Sequence, residues 1–229
     1  MSKNMQLLQN KKSGKEIKLN LGELSKFENL LREEGFSLIA GVDEAGRGSL
    51  AGPLVAAAVI LPKEINMPNL KESKQVSPKK RLKLFKEIKD AAIALSIVII
   101  QPKDIDEFGV HKANLKALGQ TFLELNPQPD FCLVDGFSPT GLDKPFLALK
   151  KGDERSISIA AASIIAKVTR DELMIEFHNE YPNYGFKHHK GYGTKEHIEK
   201  LMSFGPCKLH RTSFSPVQQA LRKSEKVIV

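Results

Sequence analysis

Two adjacent carboxylates, Asp43 and Glu44, directly follow the apolar run Leu38 to Val42, and a Gly46-Arg47-Gly48 turn comes after them. Neighbouring acids repel each other, and a buried carboxylate must be paired or must bind a metal ion. At the end of a core strand, this pair predicts a divalent-cation site. The flexible basic turn beside the pair indicates that an anionic ligand approaches it.

Adjacent strand residues point to opposite faces of a sheet. The two acids can therefore face one site only if the chain leaves the strand at this point, which Gly46 and Gly48 permit. Asp135 occupies a similar setting, because it closes a second apolar run and is also followed by glycine. Taken alone, each motif is better explained by an ordinary turn or strand exit, whereas their matching positions leave this interpretation and a metal site equally open.

A fourth acid has two candidates. Asp153 precedes a long helical pattern, where an N-cap role is the simpler explanation on spacing alone. Asp171 follows Lys167 by four residues, so a surface ion pair is sufficient to explain it. Carboxylate oxygens without a nearby imidazole or thiolate suit Mg²⁺ or Mn²⁺ better than Zn²⁺.

Charge and composition indicate the class of partner. The chain has 229 residues, with 35 Lys and Arg against 27 Asp and Glu, and a formal net charge of +8. This balance fits a nucleic-acid partner, and basic residues are concentrated between Lys71 and Lys89. The two cysteines, Cys132 and Cys207, lack zinc-type spacing and suit a reducing cytoplasm. No apolar stretch approaches the roughly 20 residues of a membrane helix, and no signal peptide is expected.

The remaining pattern predicts an α/β chain with a mixed sheet. Apolar runs predict strands over residues 38–42, 54–61, 94–100 and 131–134, of which the first two form an antiparallel hairpin. Helical spacing predicts five helices: residues 21–34, a helix that begins at Ser77-Pro78, residues 115–125, a helix between Asp153 and Tyr181, and a helix from Thr194 to about Phe204. The helix that begins at Ser77-Pro78 carries an apolar stripe of Leu82, Phe85 and Ile88.

Several motifs occur in a fixed order along the chain. They are Asp43-Glu44-Ala45-Gly46-Arg47-Gly48, Val134-Asp135-Gly136, Lys151-Gly152-Asp153, the stretch from Ala161 to Asp171, His189-Lys190-Gly191-Tyr192 and Ser213-Phe214-Ser215-Pro216-Val217. Together they resemble the type 2 ribonucleases H, the bacterial ribonuclease HII family, over about residues 37–217.

This resemblance implies the ribonuclease H-like fold, a five-stranded mixed sheet flanked by helices, with a helical C-terminal part. It also implies an endonuclease that hydrolyses the RNA strand of RNA–DNA hybrids. Such an enzyme cuts on the 5′ side of single ribonucleotides embedded in duplex DNA and leaves 3′-hydroxyl and 5′-phosphate ends. By resemblance, Asp43, Glu44, Asp135 and Asp153 are the catalytic, metal-binding carboxylates for two Mn²⁺ or Mg²⁺ ions, which favours Asp153 over Asp171.

The resemblance also implies the substrate contacts. Gly46, Arg47 and Gly48 sense the ribose, Tyr192 packs against it near the 2′-hydroxyl, and Ser73 and Lys74 are further substrate-binding residues. The chain departs from the family's common pattern at Glu72 and Gln75, within Glu72-Ser73-Lys74-Gln75-Val76, and at Ala160. These departures spare the four acids and place only details of substrate contact in doubt.

The resulting hypothesis is a monomeric, cytoplasmic enzyme of ribonucleotide removal, without a membrane partner. It has a basic arm (residues 1–20), one catalytic domain (21–217) and a C-terminal tail (218–229). We interpret His188 and His189 as solvated loop histidines, and Ser163 as a helix-packing residue. The alternatives are another nuclease of the same fold, such as a DNA-junction resolvase, and a non-catalytic hybrid-binding module.

Overall fold

The computed structural model describes residues 24–65, 67, 70 and 77–226. The strands are β1 (Ile39–Ala45), β2 (Leu54–Ile60), β3 (Ala94–Ile100), β4 (Phe131–Asp135) and β5 (Phe146–Leu149). The helices are α1 (Lys26–Glu33), α2 (Pro78–Ala91), α3 (Pro102–Phe108), α4 (Val110–Leu123), α5 (Ile157–Glu180), α6 (Phe186–His189), α7 (Lys195–Phe204) and α8 (Ser215–Lys226). Predictions for residues 1–20, Glu72, Ser73, Lys74 and Gln75 lie outside the described residues.

The five strands form one mixed sheet in the order β3-β2-β1-β4-β5, which confirms the expected architecture. β2 pairs antiparallel with both β1 and β3, so the predicted hairpin is present. β1, β4 and β5 run parallel to one another. Because parallel strands end at the same edge, Asp43, Asp135 and the turn after β5 meet there.

Helices cover both faces of this sheet. α4 packs on one face, where Ala117, Leu118 and Phe122 are fully or almost fully buried against β1 to β4. α5 packs on the other face, and its small residues lie close to the strands, as predicted. The approach is closest at Gly41, where a Cβ atom would lie 2.0 Å from the carbonyl carbon of Ser158. Only glycine therefore allows α5 to sit this near to β1.

The N-terminus of α5 is anchored by helix α1. The hydroxyl of Ser156 caps α5 by accepting from the Ile159 amide at 3.1 Å. The same hydroxyl donates to the buried carboxylate of Glu28 in α1 at 2.6 Å, and the Ser158 amide donates to it at 3.0 Å. An acid at this helix end satisfies free amides and complements the helix dipole. Burial nevertheless raises the pKa of Glu28.

Several predicted elements differ from those observed. Strand β5 was not predicted, because its four residues carry too short a pattern to distinguish from a loop. In α2 the buried residues are Leu84 and Ile88, whereas the predicted stripe residue Leu82 is 47% exposed. Helix α8 crosses the boundary proposed between residues 217 and 218, since Val217 and Ala220 are both buried against α7. None of the helices in the described part of the chain is both long and apolar enough to cross a bilayer.

Candidate active site

Strand β1 carries Asp43 and Glu44 without a break. The chain does not leave the strand here, as it would have to for both side chains to point to one face, because β1 continues through both residues in register with β2. Their side chains therefore point to opposite faces. Asp43 accepts a hydrogen bond from Ser163 of α5, and Glu44 lies beside the buried Asn114 of α4. Both carboxylates still interact with Asp135, which lies on the neighbouring strand at the same edge.

Burial raises the pKa of both β1 carboxyls. Asp43 is only 6% exposed, and desolvation, followed by the charges of Glu44 and Asp135, raises its pKa well above the usual range. Hydrogen bonds from Ser163 and from the Glu44 amide, at 2.7 Å, partly offset this. Desolvation and Asp135 raise the pKa of Glu44 to about 7, against the opposing effect of Arg47. A nearby cation would relieve this repulsion.

The turn after β5 is tied to Asp135. Its carboxylate Oδ1 accepts the amide of Gly152 at 2.6 Å, and the Gly136 amide donates to the Leu149 carbonyl at 2.8 Å. The next residue in that turn, Asp153, is 7% exposed and therefore lies buried at this edge of the sheet. Because Ser156 caps α5, an N-cap role for Asp153 is excluded.

The competing acid Asp171 has a structural role. It accepts from Lys167 at 2.6 Å, as predicted from their spacing, and its second oxygen lies 3.8 Å from Arg81 of α2. The contact with Arg81 connects α5 to α2. Asp171 therefore has cationic partners, whereas Asp43 is buried, and Glu44 partly buried, next to other acids.

The chemistry of the four acids fits a divalent cation. All donors are carboxylate oxygens, the ligand type of Mg²⁺ and Mn²⁺. The Oε2 atom of Glu44 is buried and has no hydrogen-bond partner among the described residues. Within residues 24–65 and 77–226, no three acid, histidine or cysteine side chains are drawn together closely enough to enclose an ion.

The turn after β1 is held by a buried arginine, Arg211. Its guanidinium donates to the carbonyls of Gly46 at 2.7 Å and Arg47 at 2.9 Å, and makes two bonds to that of Gly52. Burial, then the charge of Arg170, lowers the pKa of Arg211 to about 9, so it stays charged at neutral pH. The Arg47 guanidinium lies 4.2 Å from the ring centre of Phe137, beyond β4.

A second buried arginine, Arg170 of α5, joins this turn to the Tyr192 loop. It donates to Pro53, Ala51 and Ser49 on one side and to the Lys190 carbonyl, at 2.9 Å, on the other. Gly46 has φ +87°, and a Cβ atom there would lie 1.9 Å from Arg170 Nε. The Tyr192 ring lies 5.2 Å from the same guanidinium. The Gly46-Arg47-Gly48 turn and Tyr192 therefore share one support.

Sequence reasoning missed several residues at this site. Asn114, Arg170 and Arg211 are each fully buried, although polar residues of these types are expected on the surface. Ser163, interpreted only as a packing residue, also bonds to Asp43. His189 is 8% exposed, so the interpretation as a solvated histidine was wrong for it. For Arg170 and Ser163 the only signal was their place within a quoted motif.

Comparison with known proteins agrees with this geometry. The family model for ribonuclease HII matches residues 40–217. Ribonuclease HII of Bacillus mycoides (strain KBAB4) is 47% identical over 202 residues, which cover 88% of this chain and 78% of that protein. The chain also resembles solved structures. The ribonuclease H2 from Pyrococcus horikoshii OT3 has a TM-score of 0.71 at 26% identity, covering 82% of this chain and 99% of that chain.

A more distant structure shares the fold alone. Bst-RNase HIII in complex with Mn²⁺ has a TM-score of 0.65 at 18% identity, and covers 83% of this chain and 71% of that chain. The acids at the ends of parallel strands and the matched range of residues 40–217 lead to the same conclusion. The chain belongs to the ribonuclease HII family and is an endoribonuclease that acts on RNA–DNA hybrids.

Proposed function

We propose that Asp43, Glu44, Asp135 and Asp153 bind two divalent cations and cut the RNA strand at this edge of the sheet. The observation that carries the proposal is the mutual repulsion of Asp43, Glu44 and Asp135 at one edge of the sheet, with Asp43 buried and one Glu44 oxygen left without a partner among the described residues. Such an arrangement is unfavourable unless a cation balances it. When bound, two ions activate a water for in-line attack and stabilise the leaving 3′-oxygen.

Each carboxylate has a distinct place in this proposal. Asp43 and Asp135, which lie on adjacent strands, would hold the ions, with Glu44 and Asp153 as the further ligands. Glu44, with a pKa of about 7, gives up its remaining proton when a cation binds. Ser163 and the Gly152 amide orient Asp43 and Asp135 through their hydrogen bonds. We propose Mn²⁺ or Mg²⁺, since only oxygen ligands are offered and Mn²⁺ is bound by Bst-RNase HIII.

We propose that the Gly46-Arg47-Gly48 turn and Tyr192 recognise the ribose at the cleavage site. The 2′-hydroxyl is the group that distinguishes RNA from DNA, and backbone atoms at glycine can approach it closely. Gly48 has open space where its Cβ atom would be. Hydrogen bonds from Arg170 and Arg211 support the turn and the residue that follows it. Substrate binding therefore does not require the turn to lose conformational entropy.

A basic surface extends from this site along α2. Lys79, Lys80, Lys83, Lys86 and Lys89 are all exposed on that helix. Arg81 links the helix, through Asp171, to Lys167, whose ammonium lies 5.6 Å from the Tyr192 ring centre. We propose that this surface contacts the phosphates of the hybrid and of duplex DNA containing ribonucleotides. Binding then weakens as salt increases. Ser73 and Lys74, which precede α2, stay predicted contributors.

We also propose that the protein acts in the cytoplasm, in the removal of ribonucleotides from DNA. The family activity supports a role in ribonucleotide removal, with cleavage on the 5′ side of a single embedded ribonucleotide. Both cysteines are free thiols and Cys132 is fully buried, which suits a cytoplasmic protein. We also propose that the enzyme acts as a monomer, because the four acids and the ribose-recognising turn are supplied by one chain.

One cleavage assay tests the proposed function. The substrate is a labelled duplex with a single ribonucleotide, incubated with Mn²⁺ or with EDTA, beside an all-DNA duplex. We expect Mn²⁺-dependent cleavage on the 5′ side of the ribonucleotide and an intact all-DNA control. The variant Asp135→Asn should lose cleavage but retain hybrid binding, whereas Asp90→Asn, on the exposed face of α2, should behave as the wild type. Full activity of Asp135→Asn would remove the site assignment, and cleavage of the all-DNA duplex would instead indicate a junction-type nuclease.

A further inference from the structure

Three buried histidines lie beneath the Tyr192 loop, outside the carboxylate site. His189, His197 and His210 are 8%, 0% and 2% exposed. They come from α6, from α7 and from the segment between α7 and α8. The His189 and His197 rings stack with centres 4.3 Å apart, and the Phe186 ring lies within 6.0 Å of all three imidazole centres. This cluster is therefore part of the protein interior.

The hydrogen-bond partners determine which nitrogen of each ring carries the proton. The Cys207 amide donates to Nδ1 of His210 at 3.0 Å, so this nitrogen is an acceptor. At the other end, Nδ1 of His197 lies 2.9 Å from the Tyr192 carbonyl oxygen and must donate to it. Between them, the two Nε2 atoms are 3.1 Å apart. Only one assignment of neutral rings satisfies all three bonds: His210 Nε2–H donates to His197 Nε2.

The hydrogen bonds of His189 determine its tautomer in the same way. The Gly191 amide donates to Nδ1 of His189 at 3.2 Å, and Nε2–H of His189 donates to the Tyr184 carbonyl at 2.8 Å. All three rings are therefore neutral, with fixed tautomers. A proton added to His197 or His210 would place two N–H groups against each other in an apolar pocket, at a high cost.

The surroundings of these three histidines favour their neutral form. Burial is the main cause that lowers the pKa of both His197 and His210 to about 4. Neighbouring histidines lower the pKa of both rings further. For His197, backbone hydrogen bonds at Tyr192 and Gly191 and the charge of Glu196 raise the pKa, but burial outweighs them. The thiol of Cys207, whose pKa is itself raised by burial, lies 3.2 Å from His210 Nδ1. The three rings are thus uncharged at neutral pH.

The relay ends on the backbone of the residue proposed to contact the ribose. Gly191, the residue before Tyr192, accepts the amide of Leu50 at 2.8 Å. A Cβ atom on Gly191 would lie 2.2 Å from the Ala51 carbonyl oxygen, so the two loops touch directly. The position of Tyr192 is therefore set from one side by the segment that follows the Gly46-Arg47-Gly48 turn, and from the other side by His197.

We propose that His197 and His210 form a one-way hydrogen-bond relay in fixed neutral tautomers, running from the Cys207 amide to the Tyr192 carbonyl, and that both histidines are positioning residues for ribose recognition. The inference rests on the proposed role of Tyr192 for its functional part only. The tautomers themselves do not depend on that role. They can be tested even if the proposed recognition fails.

The first test is a long-range ¹H–¹⁵N correlation spectrum of the full chain labelled with ¹⁵N-histidine. At neutral pH we expect an Nδ1–H signature for His197 and Nε2–H signatures for His189 and His210, unchanged down to about pH 5.5. Spectra of His197→Asn and His210→Asn assign the signals. An Nε2–H tautomer of His197, or its protonation above about pH 6, would overturn the relay.

The second test is a double-mutant cycle scored by kcat/KM on the single-ribonucleotide duplex. His197→Leu removes the donor to Tyr192 and should lower kcat/KM about tenfold, whereas His197→Asn keeps an N–H near Nδ1 and should retain most activity. In a Tyr192→Ala background, His197→Leu should cost less than about twofold, since no ring remains to be positioned. Equal losses in both backgrounds, or full activity of His197→Leu, would refute positioning. His188→Asn serves as the matched control.

Discussion

Neutralising Glu44 should stabilise the metal-free protein, although we propose that this residue binds a metal ion. Its pKa rises from an ordinary value of 4.5 to about 7, because of burial and the charge of Asp135. Since a tenfold change in proton affinity is worth about 1.4 kcal/mol, this rise corresponds to about 3 kcal/mol of lost stability when the group is ionised. The variant Glu44→Gln removes the charge and retains the shape.

The pH dependence follows from the direction of the shift. Below about pH 4 the group is largely protonated in the folded and unfolded chains alike, so it costs little. As the pH rises towards 7, the unfolded chain releases its proton while the folded protein retains it, so the stability of the wild type falls. Above pH 7 the full cost is present. Glu44→Gln should therefore match the wild type in acid and exceed it by up to about 3 kcal/mol in mild alkali.

Urea unfolding in EDTA, at about pH 5 and about pH 8, measures this difference directly. The exposed Glu107→Gln on α3 is the control and should show no pH-dependent gain. With Mn²⁺ added, the wild type should become more stable than Glu44→Gln, because the ion stabilises a folded protein with all its carboxylates more than one that lacks Glu44. If Glu44→Gln gains nothing at the higher pH, then Glu44 is not held in a repulsive, buried setting and the electrostatic argument for the metal site fails.

Three further changes test the supports of the site. Arg211→Lys should destabilise the protein by about 3 kcal/mol and raise KM for the single-ribonucleotide duplex. The reason is that one ammonium group cannot satisfy the carbonyls of Gly46, Arg47 and Gly52. An unchanged melting temperature would contradict this prediction. Ser163→Ala removes a bond that lowers the pKa of Asp43, so the acidic limb of the pH–rate profile should move to higher pH. A shift to lower pH would show that Ser163 acts otherwise. Gly41→Ala should push α5 away from β1 and cost about 2 kcal/mol or more by denaturant titration, whereas a neutral result would mean that α5 can move without loss.

Much of the sheet and of the acid set could be predicted from local pattern. Strands β1 to β4 carry continuous apolar runs bounded by glycine, proline or acids, and both α5 and α7 begin at capped residues. Strand β5 could not be predicted in this way, since its four residues need the neighbouring β4 to define them as a strand. The error at Leu82 in α2 has a similar origin, because which face of a helix is buried depends on what packs against it.

The sequence by itself determined the chemical identity of the site: oxygen-only acids at strand ends, a glycine-rich basic turn and a tyrosine loop, in an order shared with one family. The tertiary structure alone decided how they are held. Asp43 and Glu44 diverge to opposite faces, a turn after β5 is tied to Asp135, and Arg211 reaches the Gly46 carbonyl across 165 residues of sequence. Partners so distant leave no local periodicity, and a buried arginine or histidine has the same sequence pattern as an exposed one. The burial of such a side chain becomes evident only in the folded chain, where hydrogen-bond acceptors offset the free-energy cost of removing it from water.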